Sequence, residues 1–385
     1  MPMFRFLTGG ESHGLALVTI IDGLPSNLPL TKSDIDRELK RRQLGYGRGG
    51  RMAVEQDSVD IVSGVRGGRT LGSPISLMIT NKDWPNWTEI MAVDTAPPTE
   101  AILTKPRPGH ADLSGLIKYG FGDVRDVLER ASARETAARV AVGAVAKRFL
   151  NEFKISVVSS VTRIGTVETA RQIEKPADGN VADKSPVRTL DAAAGAAMTA
   201  AIDEAAQAGE TLGGIFEVVA FGVPVGLGSY AQWDRRLDAA IARALASVPA
   251  IKGVEFGDGF DLAARLGSEA HDEIGYSEAL GFFRATNRSG GVEAGMTNGS
   301  PLRVKAAMKP IPTLGKPLMT VDINTKAPAE AISERSDVCA VPAAAVVGEA
   351  VVAIELADAM LARFGGDNLE QVKRAWQASL AGERL

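Results

Sequence analysis

The chain has 385 residues, enough for one large domain or two ordinary ones. Hydrophobic residues make up 45% and charged residues 23%, which separates it from disordered and collagen-like chains. A net charge of −4, one cysteine and 5% aromatic residues argue against a general nucleic-acid binder, an internal disulfide and a base-stacking platform, so any polyanion site must be a local patch.

No apolar signal-like run occurs in residues 1–14, and the most apolar stretch, 338–361, is broken by Pro342, Glu349, Glu355 and Asp358. That stretch predicts a buried helix and no membrane span, and a cytoplasmic location is expected. Residues 4–8 and 16–22 read as strands around a Gly-rich turn. Residues 31–42 read as a helix, with Thr31 as N-cap, Asp34 in the first turn, and Ile35 and Leu39 four apart. A basic loop follows, Gly45-Tyr46-Gly47-Arg48-Gly49-Gly50-Arg51, then strands at 58–64 and 74–80 and a Pro-rich loop at 84–108. Ser132 and Glu135 have the spacing of a capping box for a helix at 133–150. That helix is apolar nearly all round, which predicts a central position covered on several faces. Beyond it lie a strand at 157–164, a polar, variable excursion at 166–190, helices at 191–207 and 233–247 around a strand at 213–225, and a short helix at 274–283.

Two internal echoes stand out. Residues 64–75 match 291–302 at Gly64/Gly291, Val65/Val292, Gly68/Gly295, Thr70/Thr297, Gly72/Gly299, Ser73/Ser300 and Pro74/Pro301. Arg130 with Val142-Gly143 is spaced like Arg335 with Val347-Gly348. Their common order points to an internal duplication within one domain, although turn chemistry alone favours many of the same residues. No Rossmann or P-loop fingerprint and no metal-ligand motif occurs. The expected fold is a mixed α/β (α+β) sandwich, its helices packed between two largely antiparallel sheets.

The chemistry concentrates in a few loops. Two of the three histidines sit among small residues, in Gly10-Glu11-Ser12-His13-Gly14 and Pro108-Gly109-His110-Ala111-Asp112. Imidazole exchanges protons near neutral pH, and flanking glycines let a ligand approach the backbone. His271, among Glu269, Asp272 and Glu273, reads as a solvated surface residue. Arg42 and Arg48 favour anion binding, since guanidinium groups pair bidentately with phosphate and carboxylate; Arg37 and Lys40 read as a solvated helix face. Arg130 and Arg134 flank a helix start, where anions are favoured, although simple capping would also place them there. Lys309-Pro310-Ile311-Pro312-Thr313 is a rigid cationic loop. Asp337 reads either as a functional carboxylate or as an N-cap, and Cys339 as buried and inert.

These segments together resemble the chorismate synthase family over essentially the whole chain. The resemblance rests on the His13 loop with Asp22-Gly23-Leu24-Pro25, on Arg41-Arg42-Gln43 with Gly45-Tyr46-Gly47-Arg48, on Arg107-Pro108-Gly109-His110-Ala111-Asp112, and on Arg130-Ala131-Ser132-Ala133-Arg134-Glu135-Thr136. It also rests on residues 252–257 and 290–293, the Lys309–Thr313 loop and Arg335-Ser336-Asp337-Val338-Cys339. Pro249-Ala250 and Ala294 depart from the residues that other members often carry. The resemblance implies anti-1,4-elimination of phosphate and a proton from 5-enolpyruvylshikimate 3-phosphate. It implies reduced FMN without net redox change, NADPH as an indirect reductant, and a homotetramer. His13 would be the acid toward phosphate, His110 would protonate or hold the reduced flavin, and Asp337 would support the base. Arg42, Arg48 and Arg134 would neutralise the substrate, and Arg42 and Arg48 also occupy positions linked to NADP. Arg130, Ala131, Ser132, Pro249, Ala250, Ala294, Lys309, Pro310, Ile311, Pro312, Thr313 and Arg335 would contact FMN. The rivals are an NAD(P)H-dependent flavin reductase, which would oxidise NADPH unaided, and a non-catalytic polyanion-binding module, which would need no histidines.

Overall fold

Alternation of side chains builds the sheets. In β2, Leu17, Thr19 and Ile21 are buried while Val18 and Ile20 are exposed, the pattern of a strand with one face on a core. The computed structural model describes residues 3–49, 56–279, 281–332 and 337–382. In chain order it begins with β1 (Arg5–Gly9), β2 (Ala16–Asp22), α1 (Lys32–Gln43), β3 (Val59–Ile61), the hairpin β4 (Val65–Arg66) and β5 (Arg69–Thr70), and β6 (Ile75–Thr80). Next come α2 (Asp112–Tyr119), α3 (Arg125–Ala131), α4 (Thr136–Asn151), β7 (Ser156–Ile164), β8 (Val167–Glu168), α5 (Asp178–Lys184), α6 (Ala192–Gln207), β9 (Gly214–Phe221), α7 (Leu237–Ala246) and β10 (Ile251–Phe256). The chain continues through α8 (Gly267–Ala270), β11 (Ile274–Ser277), β12 (Gly281–Arg284), β13 (Val292–Glu293), β14 (Met296–Thr297), β15 (Leu302–Met308), β16 (Met319–Val321), β17 (Pro328–Glu330), α9 (Val341–Phe364) and α10 (Leu369–Gly382).

The first sheet has the order β1-β2-β6-β3 and the second β10-β15-β9-β7-β8, with every pairing antiparallel. Helices α1 and α4 pack on the first sheet, α7 and α9 on the second, and α4 meets α9. Glycine makes that meeting close. A Cβ on Gly143 would lie 2.3 Å from the Ala350 Cβ, and one on Gly348 would lie 2.5 Å from the Phe216 ring. The apolar-all-round pattern of 133–150 is thus matched by a helix buried along most of its length.

The echoing segments fold alike. Thr70 Oγ1 donates to Pro25 O at 2.7 Å and accepts the Leu28 N–H at 3.0 Å; Thr297 Oγ1 donates to Pro224 O at 2.6 Å and accepts the Leu227 N–H at 2.8 Å. Each threonine ends a two-stranded hairpin, β4–β5 or β13–β14, that leads into a central strand, β6 or β15.

Three local expectations change. Residues 274–283 form most of the hairpin β11–β12 and not a helix. Gly275 leaves room for the facing Phe283 ring, Gly281 turns the chain at φ 67°, and Tyr276 meets Phe282 edge-on across the strands. The helix expected at 133 begins at Thr136. Ser132 does accept the Arg134 N–H, but Glu135 accepts from Thr8 and Arg139 instead of closing a capping box. Within 233–247 a 3-10 turn at Trp233–Arg235 precedes α7. The excursion at 166–190 carries β8 and α5, and Ile173, Ala182 and Leu190 pack with Val219 in a small core of their own.

Between the sheets lies a buried ionic network. Glu349 of α9 has no solvent exposure. It accepts from Arg41 at 2.7 and 2.8 Å, from Lys147 at 2.7 Å, from the Ser159 hydroxyl at 2.6 Å and from Arg188 at 3.2 Å. Burial alone would push this carboxyl up. The surrounding cations outweigh burial and hold it well below the usual carboxylate range. A depressed folded-state pKa means that this contribution is present above the ordinary glutamate value of about 4.3 and is lost as pH falls. Glu349→Gln should therefore lower unfolding free energy by about 3–5 kcal/mol at neutral pH, with a smaller deficit under acid conditions; urea titrations at several pH values measure it.

Candidate active site

His13 lies on the turn between β1 and β2, stacked on Trp87 with ring centroids 3.9 Å apart. Its Nδ1 is 2.9 and 3.0 Å from the two oxygens of Glu129, and its backbone N–H donates to Glu129 Oε2 at 2.8 Å. Glu129 stands in the last turn of α3 and also accepts from Arg125 at 2.9 Å. Burial opposes its charge, yet the bonds from His13 and Arg125 leave its pKa below the ordinary value. An ionised carboxylate only accepts, so Nδ1 carries the hydrogen and any proton exchanged with a ligand passes through Nε2.

His110, on another loop, also meets a carboxylate, although its Nδ1 lies 3.0 Å from Arg107 Nη2 as well. Its Nδ1 bonds Asp112, the first residue of α2, and Asp112 also accepts from Arg107 Nε at 2.8 Å and Nη2 at 3.1 Å. Burial raises the Asp112 carboxyl, but His110 and Arg107 bring it well below the usual range. The two units are joined, because α2 and α3 share a small apolar core of Leu116, Val124, Val127 and Leu128. His271 is exposed, as its acidic surroundings suggested.

The arginines form a cluster interleaved with carboxylates. Asp57 accepts from Arg134 at 2.6 Å through one oxygen and lies 3.5 Å from Arg42 through the other. Arg42 also donates to Thr136 Oγ1 and Ala133 O, each at 3.0 Å, at the start of α4. Burial pulls its guanidinium down to about 10, and the charges of Asp57, Arg48, Arg134 and Asp337 all act on it. Arg134 donates to Asn81 Oδ1 at 2.9 Å. Arg42 and Arg134 are each only 5% exposed, so both are committed to the interior. Arg48 sits 3.1 Å from Asp337, whose other oxygen accepts the Gly49 N–H at 2.7 Å. Cys339 is buried, and burial pushes its thiol up to about 11.

Arg130, Ala131, Ser132 and Pro249 line one open cleft of about 560 Å³ together with Leu7, Thr8 and Arg139. The His13 loop borders it: Ser132 Oγ is 3.1 Å from Ser12 Oγ, and Arg130 bonds Gly10 O and Thr8. Lys309–Thr313 spans from Ala250 to the His110 loop. The Lys309 N–H donates to Ala250 O at 2.9 Å, its Nζ to Gly109 O at 2.6 Å, and Arg107 reaches Thr313 Oγ1 at 3.3 Å. Pro312 flanks Gly109, Ile311 O accepts from Thr211, and Pro310 lies beside Gly213. Ala294 stands apart, in the β13–β14 turn at the opposite end of α7 from Pro249. That helix of ten residues separates them by about 15 Å. Arg335 lies outside the described residues.

Sequence reasoning missed Glu129, Asp57 and Trp87. Glu129 directly precedes the Arg130 motif and would have been visible as a possible histidine partner; Asp57 and Trp87 had no local signal. Asp57→Asn would leave two buried guanidinium groups without their shared anion. Unfolding free energy should fall by about 3–5 kcal/mol, read by denaturant titration, while Asp60→Asn on the exposed face of β3 should have little effect.

Antiparallel sheets packed on helices, two imidazole–carboxylate units and a buried arginine cluster are the parts that acid–base chemistry on an anionic substrate requires. A family model described as chorismate synthase matches residues 4–361. The chain is 58% identical over 371 residues to the chorismate synthase of Moorella thermoacetica, covering 96% of this chain and 97% of that protein. It is 55% identical over 383 residues to that of Aquifex aeolicus, covering 97% and 96%. A crystal structure of a chorismate synthase superposes with a TM-score of 0.80 at 44% identity, covering 99% of this chain and 98% of that one. The chain belongs to the chorismate synthase family.

Proposed function

We propose that this chain converts 5-enolpyruvylshikimate 3-phosphate to chorismate and phosphate. The ring C–O bond to phosphate breaks, a ring C–H bond breaks on the opposite face, and a second ring double bond forms. The observation that carries the assignment of roles is the pair of imidazoles, each bonded through Nδ1 to a buried carboxylate, with the His13 loop joined to the cleft by the Ser12–Ser132 contact and the His110 loop to Lys309.

His13 is assigned as the acid, passing the proton on Nε2 to an oxygen of the departing phosphate. Arg42, Arg48 and Arg134 are assigned to neutralise the substrate anions, with Arg42 also bonded to the start of α4. Preorganised guanidinium groups act strongly where water is excluded, and Asp57 and Asp337 fix their directions. Asp337 is assigned to the proton-removing side. His110 is assigned to hold or protonate the cofactor.

The cleft fits FMN in chemistry and size. Its volume of about 560 Å³ is ordinary for a small-molecule site, Arg130 and Arg139 offer cations for a phosphate, and Leu7 and Pro249 offer apolar wall. Ala131, Ser132, Ala250 and Lys309–Thr313 would complete its surroundings; Ala294 and Arg335 are carried only by the family resemblance. Reduced FMN, when bound, supplies transient electron density to a breaking C–O bond that no side chain here can activate alone. NADPH is assigned as an indirect reductant, with Arg42 and Arg48 at the positions that the family resemblance links to NADP. Oxidation of NADPH by the pure protein with free FMN would instead favour intrinsic flavin reduction.

The two halves are read as a duplicated β-α-β core arranged as a sandwich, supported by the matching threonine contacts. The proposed assembly is a cytoplasmic homotetramer, supported by exposed Leu7, Val18 and Ile20 on the outer face of the first sheet; light scattering should give four times the chain mass of 40.4 kDa.

Anaerobic turnover with reduced FMN tests the reading. His13→Ala and His110→Ala should each lose about a hundredfold or more in kcat with the fold intact, and near-normal turnover in both would remove their roles. Arg48→Ala should raise the substrate KM far more than the FMN Kd; equal losses would contradict its assignment to substrate.

A further inference from the structure

We propose that Glu129 is the positioning residue of His13, fixing the ring as its Nδ1–H tautomer and aiming Nε2 at the reacting phosphate. The proposal rests on the assignment of His13 as the acid. Glu129 would not touch the substrate.

Four observations converge. Both Glu129 oxygens lie within 3.0 Å of His13 Nδ1, and one also accepts the His13 backbone N–H at 2.8 Å. Ring and backbone are therefore fixed by the same carboxylate. Ser12, the preceding residue, donates its N–H to the Glu129 carbonyl at 3.0 Å, so the tip of the loop is tied to this one residue of α3. Trp87 closes one face of the imidazole at 3.9 Å, with rings inclined by 28°, which opposes rotation about the Cβ–Cγ bond. Arg125 sets the carboxylate in turn, donating at 2.9 Å while its guanidinium lies 5.0 Å from the Trp87 ring centre.

The consequence is chemical. A neutral imidazole unconstrained at Nδ1 divides between two tautomers, and a proton delivered through Nε2 requires that this nitrogen face the ligand at every turnover. A buried carboxylate at Nδ1 removes the wrong tautomer and stabilises the ring when it is doubly protonated, as in catalytic triads. The device fixes the acid to a helix and not only to the backbone of a Gly-rich turn. Because α3 shares its apolar core with α2, which begins at Asp112, the two imidazoles are also held relative to each other.

The test uses the full-length protein labelled with 15N in its imidazoles, of which there are three. At about two pH units above the ordinary imidazole value of roughly 6.5, the wild-type His13 signals should show a protonated Nδ1 and an unprotonated Nε2. In Glu129→Gln those signals should move toward a mixture of tautomers. Its kcat should fall between about tenfold and a hundredfold, with the substrate KM changed less than about twofold. Glu129→Asp should keep more activity than Glu129→Gln. Added to His13→Ala, Glu129→Gln should cost little more. An unchanged His13 spectrum in Glu129→Gln, or an equal further loss of kcat in the His13→Ala background, would overturn the proposal. Should His13→Ala turn over normally while Glu129→Gln still redistributes the tautomers, the positioning role stands and the acid assignment falls.

Discussion

A fully buried carboxylate needs cations around it, and Glu349 takes them from three different elements: Arg41 from α1, Lys147 from α4 and Arg188 from the segment before α6. Removing any one leaves charge stranded in a low-dielectric interior, so the three must fold together. That requirement fixes where α1 ends. Arg41 turns inward to Glu349, so Arg42, one residue on, turns to the start of α4 and to Asp57. The loop that follows then reaches the start of α9, where the N–H groups of Val338 and Cys339 donate to Gly47 O and Gly49 donates to Asp337. The ionic core and the arginine cluster are consecutive parts of one chain segment.

Several candidate site residues stand at the N-terminal ends of the two central helices. Arg134, Ser132 and Thr136 stand at the start of α4, and Asp337 just before α9. Helix N-termini favour anions, and the arginines add formal charge to that field. Left alone, several buried guanidinium groups would repel one another and would shift toward neutrality, as burial does to Arg42. Asp57 and Asp337 offset part of that repulsion while leaving the cluster cationic. The resulting field is preorganised, since each fork is aimed by a carboxylate, a carbonyl or an amide before any ligand arrives.

Strands with plain alternation, such as β2 and β6, and helices with a full apolar surface, such as α4 and α9, were legible from periodicity alone. The residues of the site were legible where a rare side chain met Gly-rich backbone, as at His13 and His110. Their partners were not. Glu129 is 116 residues from His13, and Asp57 is 77 from Arg134, so no local pattern announces either pair. The hairpin at β11–β12 was misread because its glycines and aromatics act across two strands, a tertiary effect that a helical spacing of the same residues imitates. Arg42 was read as an anion-binding cation at the end of α1; its burial follows from Asp57 and from the carbonyl at Ala133, neither of which its own helix announces.

Under the proposed duplication, β1 and β2 correspond to β7 and β9, since each pair lies next to a central strand, β6 or β15, that follows a threonine-anchored hairpin. The connection between β1 and β2 is short and carries His13. The matching connection between β7 and β9 is long and carries Asp183 and Arg188, which bond each other, and Arg188 reaches Glu349. Under that correspondence, one position in the fold carries the proposed acid in one half and the ionic core in the other. A short turn cannot supply its own rigidity, which is why His13 depends on a carboxylate from α3. The long connection folds its own small core around Ile173, Ala182 and Leu190, and it can hold an arginine at φ 58° while its guanidinium enters the interior.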